Sequence, residues 1–115
     1  MKVYLLWGTS GAGKTRYVHD MWGEEVYTLA GQKPLWFDGY DGQKVLLIDE
    51  FEGVEEFGRS NLLKCLDIYP YYAPVKGGFV CAQWEKVYIT GNNDLGSIFR
   101  YDAALRRRVT VEESV

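Results

Sequence analysis

At 115 residues and 13.2 kDa the sequence is the size of one small domain, which excludes a multidomain enzyme within it. Hydrophobic residues at 47% and charged residues at 25% are an ordinary folding composition, and no run of 18 apolar residues offers a membrane span. A net charge of −3 and a pI of about 5.1 speak against a surface coated for nucleic acid, and Cys65 and Cys81 are too few for a disulfide framework and lack metal-ligand spacing.

That cysteine usage points to a reducing, intracellular compartment. Met1–Trp7 is too short, and too soon interrupted by Gly8, for a signal peptide. The aromatic load (5 Phe, 4 Trp, 9 Tyr) is heavy for this length and reads first as core packing.

In chain order, short β-like runs alternate with helical stretches, which predicts an α/β domain with a mostly parallel sheet. Val3–Trp7 is a continuous apolar run, as a buried central strand requires. Lys14–Trp22 reads as a helix with Tyr17, Val18, Met21 and Trp22 on one face and Gly23 where it should end. Val26–Ala30 and Lys44–Ile48 are strands. Arg59–Tyr69 is a helix with Leu62, Leu63 and Leu66 turned inward, stopped by Pro70. Residues 71–81 are two β-rich arms around the pair Gly77-Gly78, a projecting hairpin that Pro74 keeps out of a central position. Lys86–Thr90 is another strand, and Val109–Val111 closes the sheet.

Gly8-Thr9-Ser10-Gly11-Ala12-Gly13-Lys14-Thr15 satisfies G-x-x-x-x-G-K-[ST], between a strand and a helix as that motif demands. Its glycines let consecutive N–H groups face phosphate oxygens. Lys14 would neutralise the β- and γ-phosphates of a nucleoside triphosphate and the Thr15 hydroxyl would ligate Mg²⁺. The dinucleotide fingerprint fails because Arg16 stands where its third glycine belongs.

Leu46-Leu47-Ile48 runs into two adjacent acids, Asp49 and Glu50. At the C-terminal end of a parallel strand they arrive beside the phosphates. Asp49 suits an outer-sphere Mg²⁺ role and Glu50 the polarising of an attacking water, which favours a hydrolase over a transferase. Asn92, after another strand, would orient that water or meet the γ-phosphate; a simple Gly-Asn turn is the alternative. Arg106, Arg107 and Arg108 read either as a solvated basic face or as an arginine finger offered to a neighbouring subunit. His19 has no catalytic partner in sequence and reads as a helix-surface residue.

This ordered set resembles the superfamily 3 helicase domain of replication-initiator (Rep) proteins of small circular single-stranded DNA viruses, those of circoviruses most of all. Besides the phosphate loop and Ile48-Asp49-Glu50-Phe51, the similarity covers residues 33–40, ending in Trp36-Phe37-Asp38-Gly39-Tyr40, and residues 62–70 ahead of the hairpin. It also covers Val75-Lys76-Gly77-Gly78, Ile89-Thr90-Gly91-Asn92 and residues 104–109. Two positions depart from the pattern: Gly91 stands where the sensor motif usually has serine, and Thr9 where the loop often has proline.

The resemblance implies an α/β P-loop NTPase of AAA+-like type with a projecting β-hairpin. It implies an ATP- and Mg²⁺-dependent DNA helicase that works as a ring, in the full-length protein a hexamer. One subunit would supply Lys14, Thr15, Asp49, Glu50 and Asn92, and the next an arginine finger, Arg107 before Arg108. Lys76, Gly77 and Gly78 would hold single-stranded DNA in the pore. It further implies a longer protein, acting in the host nucleus, with an endonuclease domain and an oligomerisation segment that this sequence does not contain. A small-molecule P-loop kinase and a nucleotide-gated assembly module without turnover are the competing classes. A GTPase is disfavoured by the lack of an Asn-Lys-x-Asp signal.

Overall fold

The computed structural model describes residues 1–9, 13–30, 36–53, 57–67, 69–100 and 102–114. Its centre is a five-stranded sheet of β1 (Lys2–Trp7), β2 (Val26–Ala30), β3 (Val45–Asp49), β6 (Lys86–Gly91) and β7 (Val111–Ser114) in the order β2-β3-β6-β1-β7. Every neighbouring pair in it is parallel. With helices packed on both faces, this is the α/β fold of a P-loop NTPase. The three central strands are the unbroken apolar runs of the sequence because both of their faces are covered. β7 is an edge strand, and its Glu112 and Glu113 face solvent, which discourages pairing with another chain.

Alternation along the strands divides the core between two faces. On one, Leu6, Val45, Leu47 and Tyr88 meet Val18 of helix α1 (Lys14–Trp22). On the other, Leu5, Leu46, Ile48, Val87 and Ile89 meet α2 (Arg59–Leu66), a short α3 (Leu95–Ile98), α4 (Ala103–Arg108) and a cluster of rings. In that cluster Phe37 stacks on Trp84 at 5.5 Å, and Tyr40 meets Trp84 edge-on at 5.4 Å. The aromatic load is thus mostly core, as expected.

Several details differ from the sequence reading. α1 has the expected bounds, yet Tyr17 (46% exposed) and Met21 (49%) face outward, and Val18 is the apolar residue it buries fully. One short helix touches the sheet along a narrow stripe, and Trp22 covers the flank by donating its indole N–H to the Tyr88 hydroxyl at 3.0 Å. α2 ends at Leu66 rather than Tyr69, because Asp67 leaves it in an extended conformation and its carboxylate lies 3.5 Å from Arg108. Leu63 is half-buried, while Cys65 is fully buried and its thiol is pushed up to about 12 by desolvation. The closing strand begins at Val111, later than expected.

α3 and α4 were not anticipated. Asp94 and Asp102 cap them, accepting from the N–H groups of Ser97 (3.0 Å) and Leu105 (3.2 Å). Asp102 also receives the Arg59 guanidinium, which holds its carboxyl below the usual carboxylate range.

The hairpin is a separate antiparallel sheet of β4 (Tyr72–Val75) and β5 (Gly78–Cys81). Since Val75 pairs with Gly78, the turn residues are Lys76 and Gly77, not Gly77 and Gly78. A turn with a positive φ at its second residue only, here Gly77 at 90°, takes an ordinary residue first, so lysine occupies the tip. Nor does the whole hairpin project. Its inner face, with Ala73 buried and Val75 and Val80 half-buried, lies on the core, and the Phe37 N–H donates to the Pro74 carbonyl at 2.8 Å. The tip and the outer face, with Tyr72 (64%) and Phe79 (74%), are exposed. Tyr71, beside them in sequence, turns inward against Trp84 and Phe37.

Candidate functional site

The C-terminal ends of β1, β6 and β3 lie side by side, and an open cleft of about 480 Å³ sits over them, within the range of ligand-sized cavities. Its lining brings together Gly13, Lys14, Thr15, Asp49, Glu50 and Asn92. These come from three separated stretches of chain, gathered by the parallel sheet at one edge. Ser10, Gly11 and Ala12, expected to complete the phosphate cradle, lie outside the described residues, as do Lys33, Pro34 and Leu35 of the resembled segment.

Gly8 is buried at the end of β1 and its N–H donates to the Gly91 carbonyl at 3.1 Å, so the start of the loop is fastened to β6. Lys14 opens α1 with its stem buried (9% exposed), and its ammonium donates to the carbonyls of Gly8 (3.2 Å) and Thr9 (2.9 Å). Those neutral oxygens hold the cation at the mouth of the loop, where a polyanion would attract it far more strongly. The Thr15 hydroxyl donates to Asp49 Oδ1 at 2.6 Å, bringing together the hydroxyl and carboxylate oxygens that a hard divalent cation favours. Magnesium is commonly held by one or two carboxylates plus substrate phosphates, and the described residues hold no cluster of three or more metal-ligating side chains that would form a dedicated cage.

Glu50 follows Asp49 on a sharp turn and is the described non-glycine residue with positive φ, at 54°. Its side chain is exposed to the cleft, and among the described residues its carboxylate has no hydrogen-bond partner. Asn92, also exposed, stands across the cleft after β6.

Between them lies a residue to which the sequence alone assigned no role. The buried Thr90 (1% exposed) donates its hydroxyl to Asp49 Oδ1 at 2.7 Å and accepts the Glu50 N–H at 3.2 Å. Its carbonyl accepts the Phe51 N–H at 2.8 Å. A hydroxyl residue inside an otherwise apolar strand was the available signal.

A profile for the family described as RNA helicase matches residues 4–93. The chain belongs to the RNA helicase family. Within that family it is similar to replication-associated proteins: 33% identical over 101 residues to that of Beak and feather disease virus, covering 88% of this chain and 33% of the relative. To that of Pigeon circovirus it is 38% identical over 92 residues (80% and 27%), and to that of Human associated cyclovirus 1, 32% over 117 residues (91% and 40%). These bear out the resemblance to the superfamily 3 helicase domain of circovirus-type Rep proteins. The chain spans about a third of the length of the curated relatives it matches.

Other residues singled out in the sequence lie away from the cleft. Arg107 is exposed and donates its Nε–H to the Ala103 carbonyl at 3.2 Å. Arg108 donates to the Ala104 carbonyl at 3.0 Å and faces Asp67. Neither lines the cleft. Lys76 and Gly77 form the exposed hairpin tip, with Gly78 opening β5, and the Asp38 carboxylate accepts the Lys76 N–H at 2.8 Å. His19 is a helix-surface residue, as expected, facing the Thr28 hydroxyl at 3.4 Å.

The departure at Gly91 has a physical reason. A Cβ there would lie 2.7 Å from the Phe51 carbonyl oxygen, a backbone atom that cannot simply swing aside. Gly91→Ala should therefore destabilise the fold by about 1–3 kcal/mol, as overpacking does. The expected fall in melting temperature is roughly 5–15 °C. An unchanged thermal or urea midpoint would show that the Glu50–Phe51 turn yields freely.

Proposed function

We propose that this chain is the ATP-hydrolysing, Mg²⁺-dependent helicase domain of a viral rolling-circle replication initiator, translocating on or unwinding single-stranded DNA as a ring. One observation carries the reading: a single cleft gathers the Lys14 ammonium, the Thr15–Asp49 pair, Glu50 and Asn92. The names of the relatives, replication-associated proteins of circoviruses and a cyclovirus, supply the biological setting.

In this mechanism Lys14 leaves the carbonyls of Gly8 and Thr9 for the β- and γ-phosphates. Thr15 and Asp49 would hold Mg²⁺, which when bound neutralises charge developing on the phosphates. Glu50 accepts a proton from the attacking water, and Asn92 orients that water by its amide. Arg107 and Arg108 lie outside the cleft of their own chain, which is compatible with an arginine finger given to a neighbouring copy, in an assembly that is hexameric in the full-length protein. The acidic chain meets DNA through a lysine-tipped hairpin repeated around the ring, not through a broad basic face.

The test is ATP hydrolysis with and without single-stranded DNA, read against protein concentration. Stimulation by DNA and a rise steeper than linear with concentration are expected. Equal stimulation by single-stranded RNA would redirect the substrate assignment from DNA to RNA. A phosphorylated acceptor would favour a kinase, and binding without turnover an assembly module. Lys76→Ala should lower affinity for single-stranded DNA at low salt and flatten its dependence on log salt by about 0.7 for each phosphate no longer neutralised. An affinity that is unchanged across the salt titration would count against the hairpin.

A further inference from the structure

We propose that Thr90 is a positioning residue for the hydrolytic step, its hydroxyl setting the turn on which Glu50 is presented to the cleft. The proposal rests on the ATPase reading above. It starts from the capacity of a single hydroxyl, which has one proton to give and lone pairs to accept. Here the proton goes to Asp49 Oδ1, at 2.7 Å, and a lone pair takes the Glu50 N–H, at 3.2 Å. The same Asp49 oxygen accepts the Thr15 hydroxyl at 2.6 Å. One buried group therefore ties the carboxylate assigned to the metal to the backbone of the residue assigned to the water.

The backbone at Glu50 needs such a tie. A glutamate at φ 54° is in a region that side chains disfavour, and such a conformation persists where the surroundings over-determine it. Thr90 supplies two of the constraints, its hydroxyl to the Glu50 amide and its carbonyl to the Phe51 amide at 2.8 Å. The second is main-chain and survives any substitution. The first disappears with the hydroxyl, leaving Asp49 one donor short and the Glu50 amide without its acceptor. A plain packing role would need only the shape of Thr90, which valine reproduces.

Thr90→Val and Thr90→Ser separate the two roles. In nucleotide-free protein, Thr90→Val should speed hydrogen exchange of the Glu50 amide about tenfold or more, as expected when a protecting acceptor is removed, while Thr90→Ser stays near wild type. With ATP and Mg²⁺, Thr90→Val should lower kcat about tenfold or more with KM changed less than about threefold, and Thr90→Ser should restore it. In a Glu50→Gln background Thr90→Val should add little, because both act through one carboxylate.

Three results would overturn the proposal: turnover of Thr90→Val near wild type, a serine variant as slow as the valine one, or losses that add fully to Glu50→Gln. Undiminished turnover of Glu50→Gln alone would instead remove Glu50 from its assigned role, and the exchange measurement would still show whether Thr90 holds the turn. An absence of turnover in the wild-type chain would overturn the ATPase reading and the catalytic part of this proposal together.

Discussion

Replacing Lys14 by alanine should abolish ATP binding. The Lys14 ammonium, on a residue only 9% exposed, is held by two neutral carbonyls of its own loop, at 3.2 and 2.9 Å. Charge-assisted hydrogen bonds to phosphate oxygens are roughly twice as strong as neutral ones, about 1.5–3 kcal/mol each. Removing two of them corresponds to an affinity about 100-fold weaker or worse. Folding should suffer much less, because no buried carboxylate among the described residues is left unpaired when the lysine goes. Lys14→Met keeps the apolar stem and controls for packing. Titration with a fluorescent ATP analogue, alongside thermal melting of both variants, checks the result. Retained affinity in a folded variant would mean that this loop is not the phosphate cradle.

The elements that were legible in sequence are those whose signal is local. β1, β3 and β6 announce themselves as apolar runs because a central parallel strand is covered on both faces, and the phosphate-loop glycines mark the start of α1 within one residue. What escaped depends on partners far along the chain. Tyr17 and Met21 share a helical face with Val18, but the area of sheet available to α1 decides which of them is buried. The hairpin turn was misplaced by one residue because Gly77-Gly78 suits either register, and cross-strand pairing of Val75 with Gly78 makes the choice. α3 and α4 were readable from Asp94 and Asp102, each placed to cap the N–H three residues on, yet helices of four and six residues carry little periodicity. The candidate site followed the same rule. Motif residues Lys14, Thr15, Asp49 and Glu50 were identified by spacing, whereas Thr90 acquires meaning only once β6 is seen to lie between β1 and β3.

Glu50→Gln should keep ATP binding and lose hydrolysis. The chemistry behind this is the contrast between two adjacent acids. Asp49 Oδ1 is already engaged by the Thr15 and Thr90 hydroxyls, at 2.6 and 2.7 Å, and stands beside the hydroxyl with which it would share a divalent cation. The Glu50 carboxylate has no such partner among the described residues and stands exposed at the cleft on its left-handed turn. Glutamine preserves its length, its backbone demands and most of its hydrogen-bonding capacity, but not the basicity. General-base catalysis contributes about 10²–10⁴-fold, so kcat should fall by that order while nucleotide affinity changes less than about threefold. Single-turnover hydrolysis and equilibrium nucleotide binding, measured on one preparation, separate the two quantities. A parallel fall in affinity would place Glu50 in nucleotide binding, and undiminished turnover would move water activation to another group at the cleft. Loss of hydrolysis with binding intact also bears on the kinase alternative. A transferase must keep water from the γ-phosphate, and a carboxylate open to solvent beside that position does the opposite.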